Sequence, residues 1–121
     1  MSLIQMSLMK PQFVFLFALP FLGFAVDEKL EYFESKIRPV LAEKCYECHS
    51  AQSGKTKGGL RLDHIEVILK GGDSGPALTE GDSTNSLLVE AIHYQDPDFQ
   101  MPPKGKLPQD VISDFEKWIN E

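Results

Sequence analysis

Two cysteines three positions apart, Cys45 and Cys48, with His49 directly behind the second, are the whole thiol complement of this 121-residue chain. The string Cys45-Tyr46-Glu47-Cys48-His49 restricts the fold more than any other feature. On one helical turn, two thiols at that spacing face the same way and can add to the two vinyl groups of a single haem. The next residue then projects its imidazole at the iron as the proximal axial ligand. A haem c anchored on Cys45 and Cys48 and ligated by His49 would also provide an apolar body for the chain to wrap around.

The chain needs such a body. Residues 1–25 hold 17 apolar positions, among them five of the eight Phe, and the other 96 residues hold only 34. That is lean for a globular core, and a domain under 100 residues with so little apolar content needs a disulfide, a metal or a cofactor as a staple. The length corresponds to one domain. With 12 Lys+Arg against 18 Asp+Glu the net charge is −6, which argues against a general nucleic-acid binder.

The apolar front segment reads as an export signal. Lys10 precedes an apolar run over residues 13–26, broken only by Pro20 and Gly23. Gly23-Phe24-Ala25 offers a small-x-small cleavage site, and Asp27-Glu28 follow. A membrane-spanning helix needs about 20 apolar residues, so the run is short for a permanent anchor. Residues 1–25 are expected to be a cleaved signal peptide and 26–121 the folded domain, periplasmic or secreted. An uncleaved tether, the one route to a membrane, is the alternative. No Cys lies near the cleavage point, which excludes a lipid-anchored Cys.

Three other readings compete for the cysteines. A redox dithiol belongs in a βαβ setting, and no parallel-strand pattern is present. A structural zinc could draw on Cys45, Cys48, His49 and one of His64 or His93, but the spacing is unlike the usual finger, and zinc does not require His49 beside Cys48. A plain disulfide leaves His49 unexplained.

Iron held by one His needs a second ligand or an open site. Beyond the signal the only Met is Met101, in Gln100-Met101-Pro102-Pro103-Lys104-Gly105-Lys106-Leu107. Two prolines forbid helix there and stiffen the loop, a good mount for a thioether ligand. The bland alternative is Met101 as a flexible core filler. His64 and His93 read as surface or satisfied histidines. His/Met ligation raises the potential, which favours a carrier.

Along the mature chain, Leu30, Phe33, Ile37 and Leu41 mark an amphipathic helix leading into Cys45, with a kink or break expected at Pro39. Residues 50–59 read as a loop. Leu60 and Leu62 are expected on the haem edge, with Arg61 either on a haem propionate or solvated. Asp63 reads as the cap of a short helix over residues 65–70 that Gly71-Gly72 ends. Asp82 or Ser83 is expected to cap the helix carrying Leu87, Leu88, Ala91 and Ile92. Pro108 is placed in the first turn of a last helix whose buried face carries Val111, Ile112, Phe115, Trp118 and Ile119, with Trp118 packed on the first helix. Lys55, Lys57, Lys104 and Lys106 lie on loops expected to border the haem edge. They could form a positive rim that steers an acidic partner, or be ordinary loop lysines.

These pieces together resemble a class I cytochrome c domain and, more narrowly, the planctomycete-type cytochrome c domain. The resemblance rests on Lys36-Ile37-Arg38-Pro39-Val40-Leu41 with the Cys45–His49 string, on Lys57-Gly58-Gly59-Leu60-Arg61-Leu62-Asp63, and on Gly71-Gly72-Asp73-Ser74-Gly75-Pro76. It extends through Ser86-Leu87-Leu88 and the Met101 loop to Trp118-Ile119, covering about residues 30–119. It implies an all-α fold, a cytochrome c-like bundle of about four short helices around one covalent haem c, with Cys45 and Cys48 as anchors and His49 and Met101 as axial ligands. In that family the domain usually opens a much longer exported protein. This chain, ending at Glu121, is therefore read either as a free-standing carrier or as a fragment. The expectation is a monomeric electron-transfer protein with an unidentified redox partner and no catalytic activity of its own. The alternatives are a haem-based sensor, a structural haem module and, less favoured, a zinc or dithiol domain.

Overall fold

The computed structural model describes residues 11, 12, 14–16 and 27–121. Nearly all of the expected signal peptide, and its cleavage site, lie outside the described residues.

The chain enters the domain at Asp27, whose carboxylate accepts the Lys29 N–H at 3.1 Å and starts helix α1 (Glu28–Tyr32). A wide π turn, Phe33–Ile37, leads without interruption into α2 (Arg38–Lys44). Pro39 explains the widening. It has no N–H to offer the Ser35 carbonyl, and its ring needs that carbonyl out of the way. The backbone absorbs the conflict one residue earlier, where the Arg38 N–H reaches back to the Phe33 carbonyl. The expected kink or break is thus a local unwinding, and helical backbone runs over residues 28–44. The unwinding also offsets the first turn from the stripe that follows it. Ile37 and Leu41 are fully buried, but Leu30 is 56% exposed, because Tyr32 takes the side facing the last helix.

After α2 a single turn carries the two cysteines, with the His49 N–H on the Cys45 carbonyl at 3.0 Å. The chain then forms a two-residue antiparallel pair, β1 (His49–Ser50) with β2 (Lys55–Thr56), with His49 opposite Thr56. This small sheet corrects both the purely helical expectation and the reading of residues 50–59 as irregular. A tight turn, Lys57–Gly59, leads on to α3 (Ile65–Lys70). The boundaries of α3 match the expectation, but its capping residue is His64 and not Asp63. Asp63 is already engaged, accepting from the Arg61 guanidinium and from the Ala51 N–H.

Gly71 ends α3 at φ 74, where a Cβ would stand 1.9 Å from the Gly75 carbonyl oxygen. A Cβ on Gly72 would stand 2.3 Å from the Gly58 oxygen, which also accepts the Asp73 N–H at 2.8 Å. Two loops are therefore clasped backbone to backbone, and only glycine fits between them.

Helix α4 (Leu87–His93) begins three or four residues later than Ser83 or Asp82 would have started it, with Ser86 at its cap. Asp82 instead closes the preceding turn, accepting from the Asn85 N–H and side-chain amide, while the Ser86 hydroxyl donates to the Asp82 carbonyl at 2.8 Å. Helix α5 (Gln109–Asn120) has Pro108 just ahead of it as its cap, not within its first turn. Its Ile112, Phe115, Trp118 and Ile119 are buried, and Trp118 meets Phe33 at 5.2 Å between ring centroids, as expected. The fold is thus mostly helical. No helix among the described residues is long and apolar enough to cross a membrane.

Candidate functional site

One side of the domain encloses a cavity of about 350 Å³. Its walls are predominantly aliphatic, including Leu60 and Leu62 from the stretch before α3 and Leu88 and Ile92 from α4. Leu60 and Leu62 occupy the place expected of them. The volume falls within the range of cofactor pockets. Cys45, Cys48, His49 and Met101 all border this one space, although Met101 lies 52 to 56 positions along the chain from the others.

The turn after α2 and strand β1 set the first three residues. Both cysteines are free thiols, partly buried. Burial in the apolar wall, and secondarily the neighbouring Cys48, push the Cys45 thiol up to about 11. A redox-active thiol needs the opposite shift, toward thiolate. A neutral thiol in an apolar wall suits addition to a vinyl group.

His49 is 8% exposed, and its Nδ1 lies 3.2 Å from the Leu60 carbonyl oxygen. The backbone carbonyl can only accept, so it selects the tautomer with the proton on Nδ1 and leaves the Nε2 lone pair free for a metal. That arrangement is the usual support of a metal-binding histidine. Leu60 is placed for this by a second bond nearby, the Leu62 N–H to the His49 carbonyl at 2.8 Å.

Met101 sits on the Pro-Pro loop after α4. Its N–H donates to the Ala91 carbonyl at 3.1 Å, and the Tyr94 hydroxyl donates to the Pro102 carbonyl. The side chain is 37% exposed and stands outside the apolar core cluster, which removes the core-filler alternative. The residues present therefore fit a haem: two free thiols on one turn, an imidazole with its free nitrogen set by a backbone carbonyl, a thioether at the rim, and aliphatic walls.

Other expected participants lie elsewhere. His64 is exposed at the start of α3, and His93 Nε2 lies 2.6 Å from Glu116 Oε1, so neither joins the cysteines. Among the described residues no cluster of three or more His, Cys, Asp or Glu could hold a metal, so the zinc arrangement is not assembled. Arg61 does not line the cavity. Its guanidinium grips Asp63 at 3.0 and 3.1 Å, holding that carboxyl down to about 2, with the Ala51 N–H assisting. Of the four rim lysines only Lys57 borders the cavity, joined by Lys44, which the loop-based reading passed over although it directly precedes Cys45. No acidic side chain is among the described residues that line the space. Leu87, read only as part of the α4 helix, also lines it, and Phe99 lines it and went unrecognised, since it lies in a stretch with no clear period.

The family model described as Planctomycete cytochrome C matches residues 45–105, from the first cysteine to the glycine past Met101. No curated protein and no solved structure gives a match.

Proposed function

Because the chain belongs to the planctomycete cytochrome c family, we propose that it is a monomeric, exported electron carrier holding one haem c covalently. Haem c, when bound, supplies a one-electron iron couple. Cys45 and Cys48 would hold it through thioethers. His49 Nε2 would be the proximal ligand, with Nδ1–H fixed on the Leu60 carbonyl, and Met101 Sδ would be the distal one. The aliphatic walls exclude water, and the Pro102-Pro103 segment limits how far the Met101 backbone can move. With both axial positions filled by the chain, no open position is left for a substrate, so no catalytic activity is proposed. An acidic redox partner suits Lys44 and Lys57 at the cavity.

The observation that carries this reading is the meeting of the two thiols, the oriented imidazole and the distant methionine on one apolar cavity. The test is the absorption spectrum of exported protein, oxidised and reduced, for wild type and Met101→Ala. Loss of the weak near-infrared methionine–iron band in the variant supports the ligation, and an unchanged spectrum refutes it. Haem colour that persists in a denaturing gel checks the covalent bond. The exposure of Met101 favours one second reading, a gas sensor in which the thioether leaves. Carbon monoxide binding to native ferrous wild type would support it, and inertness would support the carrier.

A further inference from the structure

Tyr94 is the only residue other than glycine with positive φ among the described residues (φ 61, ψ 26). A left-handed backbone at a helix end ordinarily falls to Gly or Asn, and an L-residue with a bulky side chain adopts it at a steric cost. The side chain has a use that a glycine could not fill. Its hydroxyl donates to the carbonyl of Pro102, the residue after Met101. The Tyr94 carbonyl in turn lies 3.5 Å from Gln100 Nε2, of the residue before Met101. Met101 itself donates its N–H to Ala91, one turn back on α4. Three consecutive loop residues thus hang on the end of α4, the helix whose Ala91 and Ile92 form cavity wall. Tyr94 does not line the cavity, so it acts on the loop and not on any bound group.

We propose that Tyr94 is a positioning residue that latches Met101 over the cavity and sets how readily the thioether leaves the iron. The inference rests on the Met101 ligation read above. Without the hydroxyl the loop loses one anchor on its C-terminal side, and the equilibrium moves toward the thioether-off state. Small ligands that compete for the same position report that equilibrium directly.

The experiment is an imidazole titration of the haem-loaded ferric protein, followed by absorption, for wild type, Tyr94→Phe, Tyr94→Asn and Tyr32→Phe. Tyr94→Phe keeps the ring, while Tyr94→Asn suits the left-handed backbone and so guards against misfolding. Both are expected to bind imidazole about 2- to 10-fold tighter than wild type, the span of one net hydrogen bond. Both should also weaken the near-infrared band. Tyr32, whose hydroxyl bonds Asp114 far from the loop, is expected to leave both readouts unchanged when replaced by Phe. Wild-type affinity and band in both Tyr94 variants overturn the latch, even if their melting temperatures fall. An equal effect from Tyr32→Phe overturns it too, since that would be general loosening. A wild-type protein with no band, unaltered by Met101→Ala, removes the ligation and the latch together.

Discussion

The two sides of this domain are built on different principles. On one, the 28–44 helical stretch and α5 close on each other with the chain's own apolar side chains: Phe33, Ile37, Leu41, Ile112, Phe115 and Trp118. On the other, a two-residue strand pair, clasped glycine turns and a Pro-Pro loop surround a hollow. The first side is stabilised by burial and dispersion that need nothing from outside. The second has backbone hydrogen bonds and good walls but little to fill them. A short chain with few apolar groups can spend them fully in one place and leave the other to a cofactor.

The contrast can be broken most severely by keeping the cofactor out. In protein carrying both Cys45→Ser and Cys48→Ser, amide hydrogen exchange over residues 57–76 and 99–107 is expected to speed up about 100-fold or more, equivalent to about 3 kcal/mol of opening. Exchange in α2 and α5 should rise less. Equal acceleration on both sides would mean that they stand or fall as one unit. Of comparable size in free energy, but leaving the cofactor in place, is Phe115→Ala, which empties the centre of the self-packed side, where Phe115 is fully enclosed. Guanidinium unfolding of the haem-loaded protein should report a loss of about 3–5 kcal/mol, with the visible spectrum unmoved. A changed spectrum at unchanged stability would contradict the division.

The smallest effect sits near the join. Asp63 titrates at about 2 instead of 3.8 because the Arg61 guanidinium, then the Ala51 N–H, favour its charged form. A carboxyl lowered on folding adds stability that is fully present above the unfolded value and is lost as pH falls through the folded one. Wild type should therefore lose about 1 kcal/mol or less between about pH 4 and 2, discounted for solvent screening. Arg61→Ala should flatten that part of the stability profile. A profile that keeps its slope in the variant would reassign the contribution to another carboxyl.

Much of the helical framework was legible because it is local. The 65–70 helix is bounded by a glycine that tolerates positive φ, and the periodic face of α5 is buried as expected except at Val111, which is only partly covered. The meeting of Cys45, Cys48, His49 and Met101 on one cavity was legible for another reason: a haem read from the Cys45–His49 string calls for a further axial ligand, and Met101 is the one Met beyond residue 25. What escaped were choices between near-equivalent local partners. Asp63 and Asp82 both carry the signature of a helix cap, and each is drawn into a tighter engagement a few residues off, Asp63 by Arg61 and Asp82 by Asn85. The strand pair at His49 is too short to leave a period. The π turn ahead of Pro39 depends on whether a helix breaks or stretches, which the proline alone does not decide. The role of Tyr94 was equally hidden, since a positive φ on tyrosine has no sequence signal.

The all-cationic charge of the cavity lining has a thermodynamic sequel. Among the described residues, Lys44 and Lys57 are the only formally charged side chains on that wall. In the proposed carrier, an added electron would find two ammonium groups at the wall itself and its nearest carboxylates only behind it. That arrangement favours the reduced form, and the donor it calls for can be correspondingly weak.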